Sequence, residues 1–500
     1  MKEFTRTIDE NFPVTWHEFT SKSGRKYSIG DIQDEYKEII TNHMVYGLGR
    51  DEPLCKYSNA TTFPSFLLSS MEAWRSVINQ NFSLICLTTN EFGEIQIAGA
   101  NCLHIASENE KAAFEDEKKT STSKILETYL HMGKMADPFK KLGIQECLSG
   151  MGLYVLPEFR GEGIGVELLK AREPLARSIG LKATCTVFTS KFSQLAASRA
   201  GFEDLYSIRY EDLAKNENLV FPGIEEHTET IKFMYKLYKL YIPSDIKQIL
   251  TTRNIYFKMN GFKRTLDSNF PIKWHEFTSK SGKNYVIQDI PDEYKEIVAN
   301  YMVYGFTKEE PLFKFSYAST FPNFLNEAAK FWKKAVYENL SLVCLTTNEN
   351  GEIQIAGANC MYIAREDEEK SYKNDNEETS STLKVLKTHV YMGKKADAFA
   401  RLNIKEYMKG MGLYVLPEFR GEGIGIELLK AREPLCKHLD LKASCTVFTS
   451  NFSQNSAEKA GFKDLYVISY EDLAQVNEEL VFPGIETHTK SIKFMYKLYN

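Results

Sequence analysis

Apolar and polar residues alternate over positions 26–32, a period of two that predicts a short strand. Over 34–46 the period lengthens. Tyr36, Ile39, Ile40, His43 and Met44 fall on one side of a helix, and Gly47 and Gly49 supply a stop. A second helix is predicted over 66–79. Positions 83–89 and 94–106 read as strands joined by the turn Asn90-Glu-Phe-Gly93, and the charge-rich 107–119 reads as a solvated loop. Beyond it the pattern predicts a helix over 124–142, a strand over 152–157, a helix over 166–178 and a strand over 182–189. A short helix near 193–200 and strands over 205–210 and 230–237 complete the series. The order β-α-α-β-β-(α)-β-α-β-α-β-β describes a mixed α/β sheet flanked by helices, not a strictly alternating doubly wound fold.

The whole series then returns. Trp16-His-Glu-Phe-Thr-Ser-Lys-Ser-Gly24 recurs as Trp274-His-Glu-Phe-Thr-Ser-Lys-Ser-Gly282, and residues 93–102 recur as 351–360, at a register shift of 258. The shift becomes 260 from about Lys124/Lys384 and 261 at Phe221-Pro-Gly-Ile224 and Phe482-Pro-Gly-Ile485. Solenoid units run only about 20–50 residues, so each unit here is a whole domain with enough chain for its own core. The expected organisation is a first domain over 1–239, a connector over 240–258 and a second domain over 259–500. Met259 aligns with Met1, so the second copy begins as a complete protein would; two neighbouring genes merged into one reading frame is an alternative. The connector is not Gly/Ser-rich. Its Leu240, Tyr241, Ile242, Ile246, Ile249, Leu250, Ile255, Tyr256 and Phe257 suit a segment packed on a domain.

Composition narrows the class. The chain is 43% hydrophobic and 26% charged, with a net charge of -5 and a pI of ≈ 6.1. That balance gives no electrostatic reason to expect nucleic acid as a partner. No apolar run nears the length of about 18 residues that spans a bilayer, and Met1-Lys-Glu-Phe-Thr-Arg lacks the apolar core of a signal peptide. Nine cysteines without CxxC spacing point to reduced thiols. The cytoplasm is the expected compartment.

Chemistry concentrates in one repeated hexapeptide. Arg160-Gly-Glu-Gly-Ile-Gly165 and Arg420-Gly-Glu-Gly-Ile-Gly425 each lie between a predicted strand and a predicted helix. A glycine turn there aims backbone amides and the helix dipole at one point, and an arginine adds a charge suited to pyrophosphate. It is not a P-loop, because Val-Glu follows Gly165, nor the G-x-G-x-x-G dinucleotide fingerprint, because the glycines fall at 161, 163 and 165.

The hexapeptide fits the R/Q-x-x-G-x-G/A signature of the GNAT acyltransferases, which bind acetyl-CoA by its pyrophosphate, and the order of elements resembles that fold across nearly the whole chain. Within the superfamily the chain looks most like the insect arylalkylamine (dopamine-type) N-acetyltransferases. Asp51-Glu-Pro-Leu54, Glu309-Glu-Pro-Leu312, Thr189-Ser-Lys-Phe-Ser193 and Thr449-Ser-Asn-Phe-Ser453 carry that likeness. The resemblance implies two tandem acetyltransferase domains with acetyl-CoA as co-substrate, no metal, and a small primary amine, foremost an arylalkylamine, as acceptor. It implies Glu52 and Glu310 as bases, assisted by hydroxyls at Thr189, Ser193, Thr449 and Ser453. It implies CoA contacts at Val155, Arg160, Gly161, Gly163, Ile164 and Gly165, and at Val415, Arg420, Gly421, Gly423, Ile424 and Gly425.

The reaction needs these residue types. An amine with a pKa of about 10 arrives protonated and must lose a proton before it attacks a thioester. A carboxylate shielded from water accepts it, backbone N–H groups, here those of residues 154–156, hold the oxyanion, and a hydroxyl serves the departing thiolate. Each assignment has a plainer rival. Glu52 is also readable as a surface acid before Pro53, and Thr189 and Ser193 as helix N-caps. Cys185 and Cys445 read as buried inert thiols, and His17 and His275 as packing residues. His227 and His488 stand within reach of a substrate pocket. Many GNAT enzymes place a tyrosine acid where this chain has Ala197 and Ala457, so that acid is excluded. Around the base the copies differ: Cys55 and Tyr57 in one, Phe313 and Phe315 in the other, so their amine preferences are expected to differ too. The rival for the whole chain is a CoA-binding regulatory protein or pseudoenzyme, with one or both copies inactive.

Overall fold

The computed structural model describes residues 5–8, 10–108, 122–217, 219–238, 264–266, 268–366, 381–476 and 480–499. The chain divides into two compact units, residues 1–253 and 254–500. The proposed connector lies outside the described residues, as do most of the acidic stretches 108–119 and 366–378.

The first unit is built on one eight-stranded sheet in the order β1-β2-β3-β4-β5-β6-β8-β7. Its strands are β1 (Thr15–Thr20), β2 (Lys26–Asp31), β3 (Leu84–Thr89), β4 (Ile95–Ser107), β5 (Glu146–Val155), β6 (Ala183–Phe188), β7 (Glu203–Arg209) and β8 (Thr230–Leu237). The second unit repeats it with β9 (Lys273–Thr278), β10 (Asn284–Asp289), β11 (Leu342–Thr347), β12 (Ile353–Arg365), β13 (Glu406–Val415), β14 (Ala443–Phe448), β15 (Lys463–Ser469) and β16 (Ser491–Leu498). This is the expected mixed α/β sheet. Among the described strands all pairings are antiparallel except β5 with β6 and β13 with β14.

Helices cover both faces. Neighbouring residues of β8 show how: Phe233 packs with Ile125 and Met132 of the helix Ser123–Ala136 on one face. Met234 packs with Leu169 and Ala197 on the other, from the helices Ile164–Ser178 and Lys191–Arg199. A pleated strand that sends successive side chains to opposite faces needs exactly two apolar layers to bury both.

Five features depart from the sequence reading. Gly47 and Gly49 do not stop the first helix, because helical turns continue through them over His43–Leu48 and Gly49–Asp51. Residues 15–20 form an additional edge strand, β1. Tyr210–Glu217 is a helix, whereas the pattern showed only an end of strand. The strand expected from 152 begins at Glu146. The helix expected over 124–142 breaks at Asp137, which has φ 43 and precedes the short helix Pro138–Leu142. Proline is not the whole cause, because Asp397 takes φ 41 before Ala398 in the second copy.

Candidate active site

The site begins where two strands part. β5 and β6 share only three paired positions, Leu148 with Thr184, Ser149 with Cys185 and Gly150 with Thr186. β5 then runs on to Val155 bonded only to β4, so one edge of its last residues is free. Leu156 N–H donates to Ala98 O at 3.0 Å. Pleat alternation therefore turns the N–H groups of Leu153 and Val155 toward the gap. The three amides 154–156 expected as oxyanion donors thus narrow to Val155, because Leu156 is spent in the sheet.

A bulge fixes what faces the gap. Cys102 pairs with Gly152 and Leu103 with Gly150, leaving Met151 unpaired. Two residues apart in a regular strand would face the same side. Here a Cβ on Gly152 would meet Leu48 and Trp74, while one on Gly150 would meet the Arg172 guanidinium and Thr186 Oγ1, each at 2.5 Å. Arg172 is fully buried and donates to Asn101 Oδ1 at 2.7 Å and Thr186 Oγ1 at 2.6 Å. Arg432 repeats these contacts with Asn359 and Thr446, both at 2.7 Å. Burial lowers both guanidinium pKa values to about 10, so both remain cationic at neutral pH. Sequence reasoning missed this pair, although Lys-Ala-Arg-Glu-Pro-Leu is identical at 170–175 and 430–435.

At the far end of β5 the chain makes the glycine turn. Gly161 and Gly163 take φ 90 and 86, left-handed values that side chains resist, and nothing stands within 4 Å of where their Cβ atoms would lie. They are glycine for conformation, not for space. Gly163 leads into the helix Ile164–Ser178, whose first amides have no acceptors within the helix. A phosphate fits that arrangement. Arg160, expected to face the pyrophosphate, donates Nε to Val155 O at 3.2 Å and its terminal nitrogen to Asp51. Arg420 does the same with Val415 O at 3.1 Å and Glu309.

β1 and β2 brace this turn. His17 Nε2 lies 2.7 Å from Glu167 Oε2 in the first turn of the helix, and Ser23 donates to Glu162 of the glycine turn at 2.7 Å. His275 with Glu427 and Ser281 with Glu422 repeat the contacts at 2.8 and 2.6 Å. The duplicated segment from Trp16 to Gly24 thus braces the glycine turn and its helix through His17 and Ser23.

The glutamates stand directly before the short helices that open at Pro53 and Pro311. In the first copy the helix Asp34–Asn42 loosens into a π turn over His43–Leu48, which re-aims the chain before Glu52. Glu52 caps the short helix Pro53–Lys56, accepting from Leu54 N at 3.1 Å and Cys55 N at 2.8 Å. Its charge helps hold the Tyr129, Tyr210 and Cys55 pKa values high, after burial as the main cause. Glu310 is only 8% exposed and accepts from Phe313 N at 2.9 Å. Its Oε1 is buried and has no hydrogen-bond partner among the described residues. Burial raises its pKa above the ordinary carboxylate value, opposed by the neighbouring Thr449 hydroxyl and the Phe313 and Leu312 amides.

The hydroxyls sort differently from expectation. The N-cap of the helix Lys191–Arg199 is Ser190, not Thr189. Ser193 completes the capping box and donates to Ser190 O at 2.9 Å, as Ser453 does to Ser450 O. Thr189 and Thr449 are buried, and their carbonyls accept from Tyr210 and Tyr470 at 2.9 and 3.0 Å. Ala197 and Ala457 are fully buried. Cys185 and Cys445 are buried free thiols, and His488 borders the cavity described next.

In the second copy one cavity of ≈ 1080 Å³ joins these pieces. Glu310, Thr449 and Ser453 line it, and so do Val415, Arg420, Gly421, Gly423, Ile424 and Gly425. Residues drawn from three separated stretches of sequence thus border one space. Among the described residues no group of three or more His, Cys, Asp or Glu could hold a metal, and no helix is long and apolar enough to cross a membrane.

Comparison with known proteins agrees with the duplication. The acetyltransferase (GNAT) family model matches residues 137–202 and 364–462, one stretch in each copy. A structure assigned as arylalkylamine N-acetyltransferase 7 of the yellow fever mosquito is 29% identical, over 48% of this chain and 100% of its own, with a TM-score of 0.44. Arylalkylamine N-acetyltransferase 2 of Aedes aegypti is 24% identical over 43% of this chain and 99% of its own, with a TM-score of 0.36. The polyamine N-acetyltransferase of Drosophila melanogaster is 16% identical over the same shares, with a TM-score of 0.35. Among curated proteins, none matches the chain.

Proposed function

We propose, from the premise that the chain is an N-acetyltransferase with a GNAT domain in each copy, that both copies move an acetyl group from acetyl-CoA to a small primary amine. An arylalkylamine is the first acceptor class to test. The observation that carries this reading is one cavity of the second copy that is bordered both by the glycine turn and by the buried Glu310.

In this reading the amides opening the helices at Ile164 and Ile424 hold the pyrophosphate, with Arg160 and Arg420 beside them. Glu52 or Glu310 takes a proton from the ammonium, directly or through a water. The freed amine attacks the thioester carbonyl, and its oxygen gains charge at the amide of Val155 or Val415. The carbon–sulfur bond then breaks. The nitrogen gives up its second proton as the thiolate leaves, and the hydroxyl of Thr189 or Thr449, or of Ser193 or Ser453 once its capping bond is released, passes a proton to the sulfur and takes that proton in return. The products are the N-acetyl amine and CoA.

The test is release of free thiol from acetyl-CoA by the full chain, against arylalkylamines, polyamines and a lysine peptide. Turnover with one class names the acceptor. Absence of turnover with every amine, alongside a CoA-induced rise in thermal stability, favours the CoA-binding regulatory reading.

A further inference from the structure

The two copies share their glycine turns and glutamates but differ on the cavity wall away from them. In the first copy β4 pairs His104 with Ser149 of β5. In the second the same cross-strand positions hold Tyr362 and Lys409, and the Lys409 ammonium sits 5.8 Å over the Tyr362 ring. Directly paired residues face the same side of a sheet. The bulge at Met411 puts Gly410 against Arg432 and Gly412 against Met302, Phe306 and Trp332. Lys409, opposite in facing to Gly410, therefore shares the side of Gly412 and of the helix Ser381–Ala396. On that helix His389 stands where the first copy has Tyr129. Tyr362, His389 and Lys409 all line the cavity.

Charge at this wall has a direction. The cavity is bordered by six lysines and arginines against two glutamates. Lys409 lies six residues before Val415, about 20 Å along an extended strand at roughly 3.3 Å per residue, too far to serve the phosphate turn. Burial, aided by the Lys409 charge, lowers the His389 pKa to about 4, so His389 is a neutral N–H donor at pH 7. In the first copy the matching residues are a serine, a tyrosine and a histidine whose pKa burial also lowers to about 4. None of these three residues is a cation at neutral pH.

We infer that the second copy accepts an amine bearing a carboxylate, an amino acid rather than a simple arylalkylamine or polyamine, with Lys409 as the residue that recognises the anion. The inference rests on the acyl-transfer reading above and names the substrate class of one of its two sites. A second ammonium held beside Lys409 would be repelled by it. A carboxylate there gains a charge-assisted hydrogen bond instead.

The test uses the full chain with Glu52→Gln, so that only the second copy turns over. Candidate acceptors are tyramine, putrescine, and glycine, β-alanine and tyrosine as amino acids. The expected result is preference for an amino acid, with Lys409→Ser raising its KM about tenfold or more and leaving tyramine unchanged or improved. In the Glu310→Gln chain, Ser149→Lys should move the first copy toward the amino acid. Turnover that prefers tyramine or putrescine, or is indifferent to Lys409→Ser, overturns the inference and leaves acyl transfer standing. Loss of a preference for succinyl-CoA over acetyl-CoA in Lys409→Ser would move the carboxylate to the acyl donor and overturn the amine assignment. Absence of turnover with every amine removes both readings.

Discussion

Arg420 of the glycine turn donates to Glu309, the residue immediately before Glu310, and Arg160 makes the same contact with Asp51 beside Glu52. The arginine of the glycine turn and the proposed base are thus tied together through the acidic residue that precedes the glutamate. Arg160→Ala with Arg420→Ala is expected to weaken acetyl-CoA binding about tenfold or more, since charge-assisted bonds contribute about 1.5–3 kcal/mol. Calorimetric titration of acetyl-CoA measures it; unchanged affinity would remove the arginines from the phosphate site.

Replacing Glu52 and Glu310 together by glutamine should lower turnover by about 10²–10⁴. The glutamine keeps a carbonyl that can accept from the capped amides at Cys55 and Phe313, so folding should change by less than about 1 kcal/mol. A CoA-induced rise in melting temperature should persist. Turnover equal to the unmodified chain would end the base assignment.

The pH dependence of the second copy follows from burial of Glu310, whose pKa lies above the usual 4.5. In the Glu52→Gln chain, turnover should fall as pH drops through that raised value, because the base must be ionised. Stability runs the other way. Between the unfolded and the raised folded pKa the native state holds a proton that the unfolded chain has lost, so the contribution of this group is full below the unfolded pKa and lost as pH rises through the folded one. Unfolding curves with and without Glu310→Gln at several pH values should therefore diverge across that window.

Arg172 and Arg432 sit at the point where the strands part, each shared among neutral acceptors. Arg→Met at either site strands two or more buried acceptors, at about 1–3 kcal/mol each, and should cost several kcal/mol in chemical denaturation. Gly150→Ala should act similarly, because its methyl group would meet the guanidinium and Thr186. A loss below about 1 kcal/mol in both would mean that the gap is held open by other contacts.

Much of this was legible locally. The period-two and helical patterns placed seven of the eight strands of each copy, and the glycine turn was readable because its conformation is a property of adjacent residues: left-handed glycines, then a helix. β1 escaped notice because Thr15–Thr20 intersperses Trp16 and Phe19 with His17, Glu18 and threonines, which leaves no clean period-two apolar pattern. The first half of β5 escaped because Ser149-Gly-Met-Gly152 reads as a turn, and only pairing with β4 makes it a strand.

The sequence by itself determined the duplication, the mixed sheet and the two segments proposed to carry glutamate and phosphate chemistry, since each is written in contiguous residues. Tertiary structure alone decided that Ser190 rather than Thr189 caps its helix, that Leu156 is spent in the sheet, and that His17 braces the helix of the glycine turn. It alone gave meaning to Arg172 and Lys409. A side chain's role at such positions depends on which strand lies beside it and which face a bulge turns it to, and neither is encoded within a few residues of the side chain itself.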